Sequence, residues 1–317
     1  MDTCFLKKYK CKNFDDFIIE PQFIDLINTL INMDNLNILF IGNSGSGKTS
    51  IIESTIREYY NTQKIPPHNV LYINNLKEQG IQYYRNEVKT FCQIKSDIPK
   101  KKKFVVLDDL DNINDQSQQV FRNCIDKYSN NVNFIASCCN NQKIIESLQS
   151  RFLIIKIKPI SKILLKKLLN KIVKNEKIKL TPETSTFIID ICNNSIRMLI
   201  NYLEKFKLIN RNITLNDAKN ICTNISFLDF ENYTNLWYVQ KNHKDSIKCL
   251  FNIYYKGYSV MDILDNYFHF IKITNNLPEN IKYEIIKIIC KYISIFHTEH
   301  EYDIELAFFT NDLINNI

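Results

Sequence analysis

Read for the alternation of apolar and polar positions, the chain divides into a first half of short strands interleaved with helices and a second half of helices alone. Ile38 to Ile41, Val70 to Ile73, Phe104 to Leu107, Asn133 to Ser137 and Phe152 to Ile155 are short, mostly apolar runs. They are continuous rather than alternating, which is the pattern of strands buried on both faces of a parallel sheet. Between them the spacing predicts helices. One starts at Pro21, with Phe23, Ile24, Leu26, Ile27 and Leu30 on its apolar side, and a second runs from near Lys48 to Tyr60. A third is opened by Gly80 and runs from Ile81 to Phe91, and a fourth runs from Gln116 to Tyr128. Pro66-Pro67 breaks the chain before the Val70 strand. Such alternation, continuing to about Pro159, predicts a parallel sheet with helices on both faces.

From Ser161 the strand-like runs stop. Leu164, Leu165, Leu168, Leu169, Ile172 and Val173 face one way, and Lys166, Lys167, Lys171 and Lys174 the other, a helix whose lysines are expected in solvent. Thr181-Pro182-Glu183 signals another helix start. Near Leu228 the pattern changes to long aromatic-rich helices, broken at Gly257 and at Leu277-Pro278. The expected organisation is therefore an α/β core over residues 1–160, a helical segment over 161–227 and an all-helical domain over 228–317. A length of 317 residues accommodates this, at roughly 100–150 residues per domain. Lys100 to Lys103 is expected as a solvated basic loop.

Composition changes the picture little. A formal charge of +7 fits a polyanionic partner and an ordinary surface equally well. The ten cysteines form no C-x-x-C pair and no His lies at zinc spacing, so neither a zinc site nor a disulfide framework is indicated, and a reducing, intracellular setting is expected. No apolar run approaches the roughly 18 residues of a membrane span, and the N-terminus lacks a signal-peptide core. The wealth of Asn, Ile, Lys, Tyr and Phe is that of an AT-rich genome.

Glycine usage is informative. The chain has 5 glycines, and three of them, Gly42, Gly45 and Gly47, fall within six positions. The run Gly42-Asn43-Ser44-Gly45-Ser46-Gly47-Lys48-Thr49 matches G-x-x-x-x-G-K-[ST] between a predicted strand and a predicted helix. Bare backbone there lets successive N–H groups point at a phosphate while the helix N-terminus adds partial positive charge. Lys48 is then expected on the β- and γ-phosphates of ATP and Thr49 on Mg²⁺. Asp108 and Asp109 close the Phe104 strand at its carboxyl end, where open α/β sheets place ligands. Asp108 is expected to hold Mg²⁺ through water and Asp109 to polarise the attacking water. An acidic cap leading into the helix after Asn114 is the structural alternative for the pair.

With these pieces placed, the sequence resembles the small subunits of replication factor C, the AAA+ sliding-clamp loader of eukaryotes, archaea and large DNA viruses. The resemblance runs over nearly the whole chain. Phe5-Leu6-Lys7-Lys8-Tyr9-Lys10 resembles the W-V-E-K-Y-R-P box beside the adenine, with Phe5 for Trp and Cys11 for Pro. Glu78-Gln79-Gly80-Ile81 with Arg85, Val88, Lys89 and Phe91 resembles E-R-G-I…R..VK.F. Gln118-Gln119-Val120-Phe121-Arg122 resembles Q-Q-A-L-R, and Lys143 to Phe152 resembles K-I-I-E-P-I-Q-S-R-C, the match most specific to clamp loaders. Ser195-Ile196-Arg197 stands where the family has D-M-R, and Gly257-Tyr258-Ser259 resembles the G-Y-S of its collar.

The resemblance implies an AAA+ core, a helical lid and a helical collar, in a homo- or hetero-pentameric ring of such subunits. Such a ring is expected to grip a PCNA-type sliding clamp and thread primer-template DNA, in the nucleus or in a viral replication compartment. It implies that Arg197 senses the γ-phosphate in cis, that Arg151 and Arg122 act on a neighbour's ATP, and that Arg85 and Lys89 contact DNA. Three departures stand out: Asp109 for the family's Glu, Cys139 for its sensor Asn with Asn140 one step late, and Asn123 for its second Arg. They point to slow intrinsic hydrolysis. The alternatives are a subunit that binds ATP only for assembly, or another AAA+ ATPase such as an initiator. The latter would show a winged-helix pattern at the C-terminus, where only helical runs appear. Neither N-K-x-D nor L-S-G-G-Q occurs, against GTPase and ABC readings.

Overall fold

The five apolar runs become five strands of one parallel sheet: β1 (Ile38–Ile41), β2 (Val70–Asn74), β3 (Lys103–Asp108), β4 (Val132–Cys138) and β5 (Leu153–Lys156). In the computed structural model of the chain, the described residues are 4–17, 21–74, 84–209, 211–223, 225–296 and 299–317. The strand order is β2-β3-β4-β1-β5, all pairings parallel. The chain reverses its direction of travel across the sheet between β1 and β4, so a crevice opens there at the carboxyl ends. Register makes those ends meet. Ile41 pairs with Cys138, Leu107 with Ala136 and Asn74 with Asp108, so the segments starting at Gly42, Asp109 and Cys139 leave the sheet together.

Successive strand residues point to opposite faces, and each face has its own core. Ile38, Phe40, Phe104, Val106 and Ile135 pack with Ile51, Ile52, Ile56 and Tyr59 of the helix Lys48–Tyr60 and with Ile27 of Pro21–Asn32. Leu39, Val105, Leu107, Phe134 and Ala136 pack with Phe121, Cys124 and Ile125 of the helix Asp115–Tyr128. The latter is capped by Asn114, whose side-chain oxygen accepts from Ser117 N–H at 2.9 Å.

Three expectations need correction. Lys103 is not in a solvated loop: it pairs with Val132 in β3 and is 3% exposed. Its aliphatic stem tolerates burial because the ammonium lies 4.3 Å over the Phe91 ring, and burial lowers its pKa. The helix expected from Ile81 to Phe91 appears as a π-helical turn, Tyr84–Val88, running into Lys89–Gln93; its expected start at Gly80 and the Glu78-Gln79-Gly80-Ile81 motif lie outside the described residues. Phe152 precedes β5 rather than opening it, its ring buried against the Phe121 core.

The chain divides into two compact units, Met1–Leu168 with Asn194–Asn201, and Leu169–Asn193 with Tyr202–Ile317. The first holds the sheet. In the second, Pro182–Ile191 and Leu215–Ile221 start at capping threonines, Thr181 and Thr214. Phe227–Thr234, His243–Tyr254, Val260–Ile273, Glu279–Phe296 and Ile304–Asn316 then surround a core of Phe230, Tyr233, Trp237, Tyr267, Ile289 and Phe309. Its polar atoms are partnered: Trp237 Nε1–H donates to Tyr267 Oη at 3.0 Å, and Tyr233 and Thr310 hydroxyls meet at 3.0 Å. Gly257, at φ +98°, turns the chain between two of these helices. Among the described residues no helix is long and apolar enough to cross a membrane.

Candidate nucleotide site and arginine edge

The loop from Gly42 to Gly47 connects β1 to the helix that begins at Lys48. Gly42 N–H donates to Cys138 O at 3.2 Å, tying the loop to β4, and Ser46 N–H donates to Asn43 O at 3.2 Å. Asn43 and Ser44 are exposed at its tip. Gly45 and Gly47 adopt φ of +75° and +94°, which side chains resist. At Gly45 a Cβ would also overlap Ser195 Oγ and come within 3.3 Å of Arg197 Cβ. Ser195 and Arg197 thus stand against the loop, within the same compact unit.

Lys48 is 7% exposed, and its ammonium donates to Gly42 O at 2.8 Å, Asn43 O at 3.2 Å and Cys139 Sγ at 3.2 Å. Thr49 Oγ1–H lies 3.1 and 3.3 Å from the two carboxylate oxygens of Asp108. The structure therefore brings Gly42 to Thr49, Asp108 and Arg197 around one point. The site also fits the groups it is expected to hold. Ser46 Oγ is buried in the loop without a hydrogen-bond partner among the described residues, suited to a phosphate oxygen, and a threonine hydroxyl beside a carboxylate is the hard oxygen donor set that suits Mg²⁺.

Asp109 follows in the left-handed region, φ +52°, a conformation that Asp tolerates better than most residues. Ser137 fixes this turn. Its hydroxyl donates to Asp108 Oδ1 at 2.5 Å and accepts from Asp109 N–H at 3.1 Å. Burial pushes the Asp109 carboxyl above its ordinary value, neighbouring Asp108 and Asp111 push the same way, and Lys48 and Arg197 oppose them. A carboxyl poised in this way is a better proton acceptor than a surface aspartate.

Sequence reasoning missed two supports. Ser137 is fully buried within an apolar strand, and a hydroxyl in such a place requires a partner; that was the available signal. Asp111 accepts from the N–H groups of Cys139 and Asn140, both at 3.1 Å, which sets the turn after β4. Where the resemblance leads one to expect a sensor asparagine, Cys139 presents its thiol to Lys48 while Asn140 caps the next turn, accepting from Gln142 N–H at 2.9 Å.

The arginines lie elsewhere. Arg151 follows the short helix Glu146–Gln149 and donates from Nε and Nη2 to Asp126 at 2.5 and 2.9 Å, and from Nη1 to Ser147 O. Arg122 sits one turn before Asp126 on Asp115–Tyr128, its Nε 4.0 Å from that carboxylate. None of the hydrogen bonds of Arg151 among the described residues reaches the phosphate loop. Buried Gln118 locks this edge, donating to Ile113 O and Lys143 O and accepting from Ile145 N–H at 2.9–3.0 Å. Lys89 is exposed, and the side chain of Arg85 lies outside the described residues.

Comparison with known proteins follows these two regions. Residues 38–159 match the ATPase family associated with various cellular activities (AAA), and residues 232–293 match the replication factor C C-terminal domain. A replication factor C small subunit of Picrophilus torridus is 30% identical over 206 residues, 64% of this chain and 64% of its own length. That alignment spans just under two thirds of the relative. Replication factor C subunit 4 of Saccharomyces cerevisiae is 28% identical over 286 residues, 89% of this chain and 87% of its own length. The fold alone is shared with the Thermotoga maritima RuvB Holliday junction branch migration motor, at TM-score 0.52 and 10% identity over 74% of this chain and 80% of that one. With a nucleotide loop and a carboxylate pair at one end of the sheet, the chain carries a region of the AAA ATPase type and a region of the replication factor C C-terminal type, and along its length it is similar to replication factor C small subunits.

Proposed function

We propose that the chain is an ATP-dependent clamp-loader subunit, acting with other such subunits in a ring that opens a PCNA-type sliding clamp and places it on primer-template DNA. The observation that carries this is the pairing, in one chain, of the Lys48–Thr49–Asp108 site with a C-terminal domain of the replication factor C type. The three-part organisation follows from it, with core 1–160, lid 161–227 and collar 228–317.

In this reading the backbone N–H groups from Gly42 to Gly47 and the ammonium of Lys48 receive the ATP phosphates, which are stronger partners for Lys48 than two loop carbonyls and a thiol. Thr49 and Asp108 would hold Mg²⁺, which would supply positive charge to offset that of the phosphates. Asp109 accepts the proton of the attacking water, Ser137 keeps Asp108 and Asp109 in register, and Arg197 adds positive charge beside the loop. Arg151 and Arg122, turned to Asp126 in their own chain, serve the ATP of the neighbouring subunit, which makes assembly a condition of hydrolysis. Lys89 and Arg85 are candidate DNA-backbone contacts. If so, neutralising both flattens the slope of log K against log salt by roughly 0.9 per lost contact.

The test is capture of the PCNA-type clamp of the same genome, with and without a non-hydrolysable ATP analogue. Capture dependent on nucleotide and abolished by Lys48→Ala supports the reading. A chain that hydrolyses ATP and never retains the clamp in a ring of its own subunits overturns it.

A further inference from the structure

We propose that Asp126 is a positioning residue for the trans-acting Arg151, holding its guanidinium in one fixed orientation. This rests on the reading of Arg151 as acting on a neighbouring subunit.

Asp126 grips Arg151 side-on, with Nε and Nη2 at 2.5 and 2.9 Å from separate carboxylate oxygens. The third nitrogen, Nη1, turns to Ser147 O and, at 3.4 Å, to Ser150 Oγ. Every nitrogen of the guanidinium therefore has a partner in its own chain, which fixes both the plane and the rotation of a long side chain. Nη2 spends one of its two N–H bonds on Asp126, so a donor remains for an outside acceptor.

Arg122 lies near the same carboxylate without bonding it, Nε 4.0 Å from Oδ2, and this buried Nε has no hydrogen-bond partner among the described residues. One anion beside two cations leaves a net charge of about +1, so Asp126 orients Arg151 without cancelling the positive charge of this edge. Holding Arg151 costs it little mobility later, because the helix carrying Asp126 is pinned through Gln118 to the turn that leads to Arg151. A purely stabilising role is a poor account of the carboxylate, since solvent-exposed ion pairs contribute little to folding. Arg151 in turn holds the Asp126 carboxyl below the usual range, so the Asp126–Arg151 pair stays ionised at neutral pH.

The experiment is steady-state ATP hydrolysis by the assembled complex, with nucleotide affinity measured on the isolated subunit. Since a misplacement of about 1 Å at a reacting centre costs on the order of 100-fold, Asp126→Ala is expected to lower kcat by roughly 10- to 100-fold without changing KM or nucleotide affinity. Asp126→Glu should recover most of the rate. In an Arg151→Ala background, Asp126→Ala should change kcat by less than about twofold, because a residue that acts only through Arg151 has nothing left to position. Multiplicative losses in the double variant, or a faster Asp126→Ala enzyme, overturn the assignment. If Asp126→Ala does not fold, as judged by its melting curve, the isosteric Asp126→Asn takes its place in the same cycle. The two readings fail differently: an Arg151→Ala complex of full activity removes the trans mechanism itself, whereas a crippled Arg151→Ala complex beside a fully active Asp126→Ala complex removes only the role of Asp126.

Discussion

Asp109 and Asp126 belong to the same α/β unit, and their surroundings push them in opposite directions. Burial and the neighbouring carboxylates raise the pKa of Asp109, while hydrogen bonds from Arg151 lower that of Asp126. The first environment favours taking up a proton, the second favours permanent charge. The difference extends to how each region is built. At the phosphate loop, glycines, short side chains and strand ends leave little freedom, and nearly every partner is backbone or buried. At the arginine edge, long side chains are steadied by a solvent-exposed carboxylate. Groups that act on their own chain's nucleotide can be preorganised by the sheet; a group that must reach another subunit needs length, and length has to be restrained from outside the sheet.

The sharpest way to break this contrast is Arg151→Ala. Under the trans reading it lowers hydrolysis by the assembled complex by roughly 10³- to 10⁵-fold and leaves nucleotide binding by the isolated subunit unchanged. Rings mixing this variant with Lys48→Ala subunits should recover activity only at interfaces where an intact Arg151 meets an intact Lys48. Equal losses in the isolated subunit would place the arginine in the cis machinery and erase the distinction. Lys48→Ala comes next. Losing the charge-assisted bonds of one ammonium, worth about 1.5–3 kcal/mol, should weaken nucleotide binding roughly 10- to 100-fold. Equilibrium titration checks this, and wild-type affinity would remove Lys48 from the phosphates.

A smaller effect is expected at Asp109. Lengthening it to Glu brings the carboxylate closer to the position the family uses, and should speed hydrolysis by about 10-fold if reach is what limits it. Slower turnover in the assembled complex would mean that Ser137 and the left-handed turn have already adapted the site to the shorter acid. The mildest test is a pH profile. Under the proposed role Asp109 works deprotonated, so activity should fall as pH drops through its raised pKa. Arg197 opposes that rise, and Arg197→Ala should therefore move the acid limb of kcat to higher pH. An unmoved limb would exclude Asp109 as the titrating base.

Much of the nucleotide site was legible because its geometry is local. Gly42 to Thr49 is one continuous segment, and strand ends in a parallel sheet are brought together by register alone, so an apolar run ending in Asp108-Asp109 locates the acids. Ser137, Asp111 and the Cys139 contact were harder, since each depends on a neighbour at the far end of another strand or turn. Lys103 was misread because four consecutive lysines look solvated until one is drawn into a strand beside Phe91. The clasp of Asp126 on Arg151 joins positions 25 residues apart, and nothing in the spacing of either motif announces it.

Trp237 is the chain's sole tryptophan. It lies buried in the helical unit, its indole N–H bonded to Tyr267. Tryptophan emission is therefore a spectroscopic channel confined to that unit, and the α/β unit is silent in it. Far-ultraviolet circular dichroism reads both. If urea unfolds the chain in one cooperative step, the two signals superimpose; if the units unfold separately, they part, and a label-free measurement reveals which unit fails first.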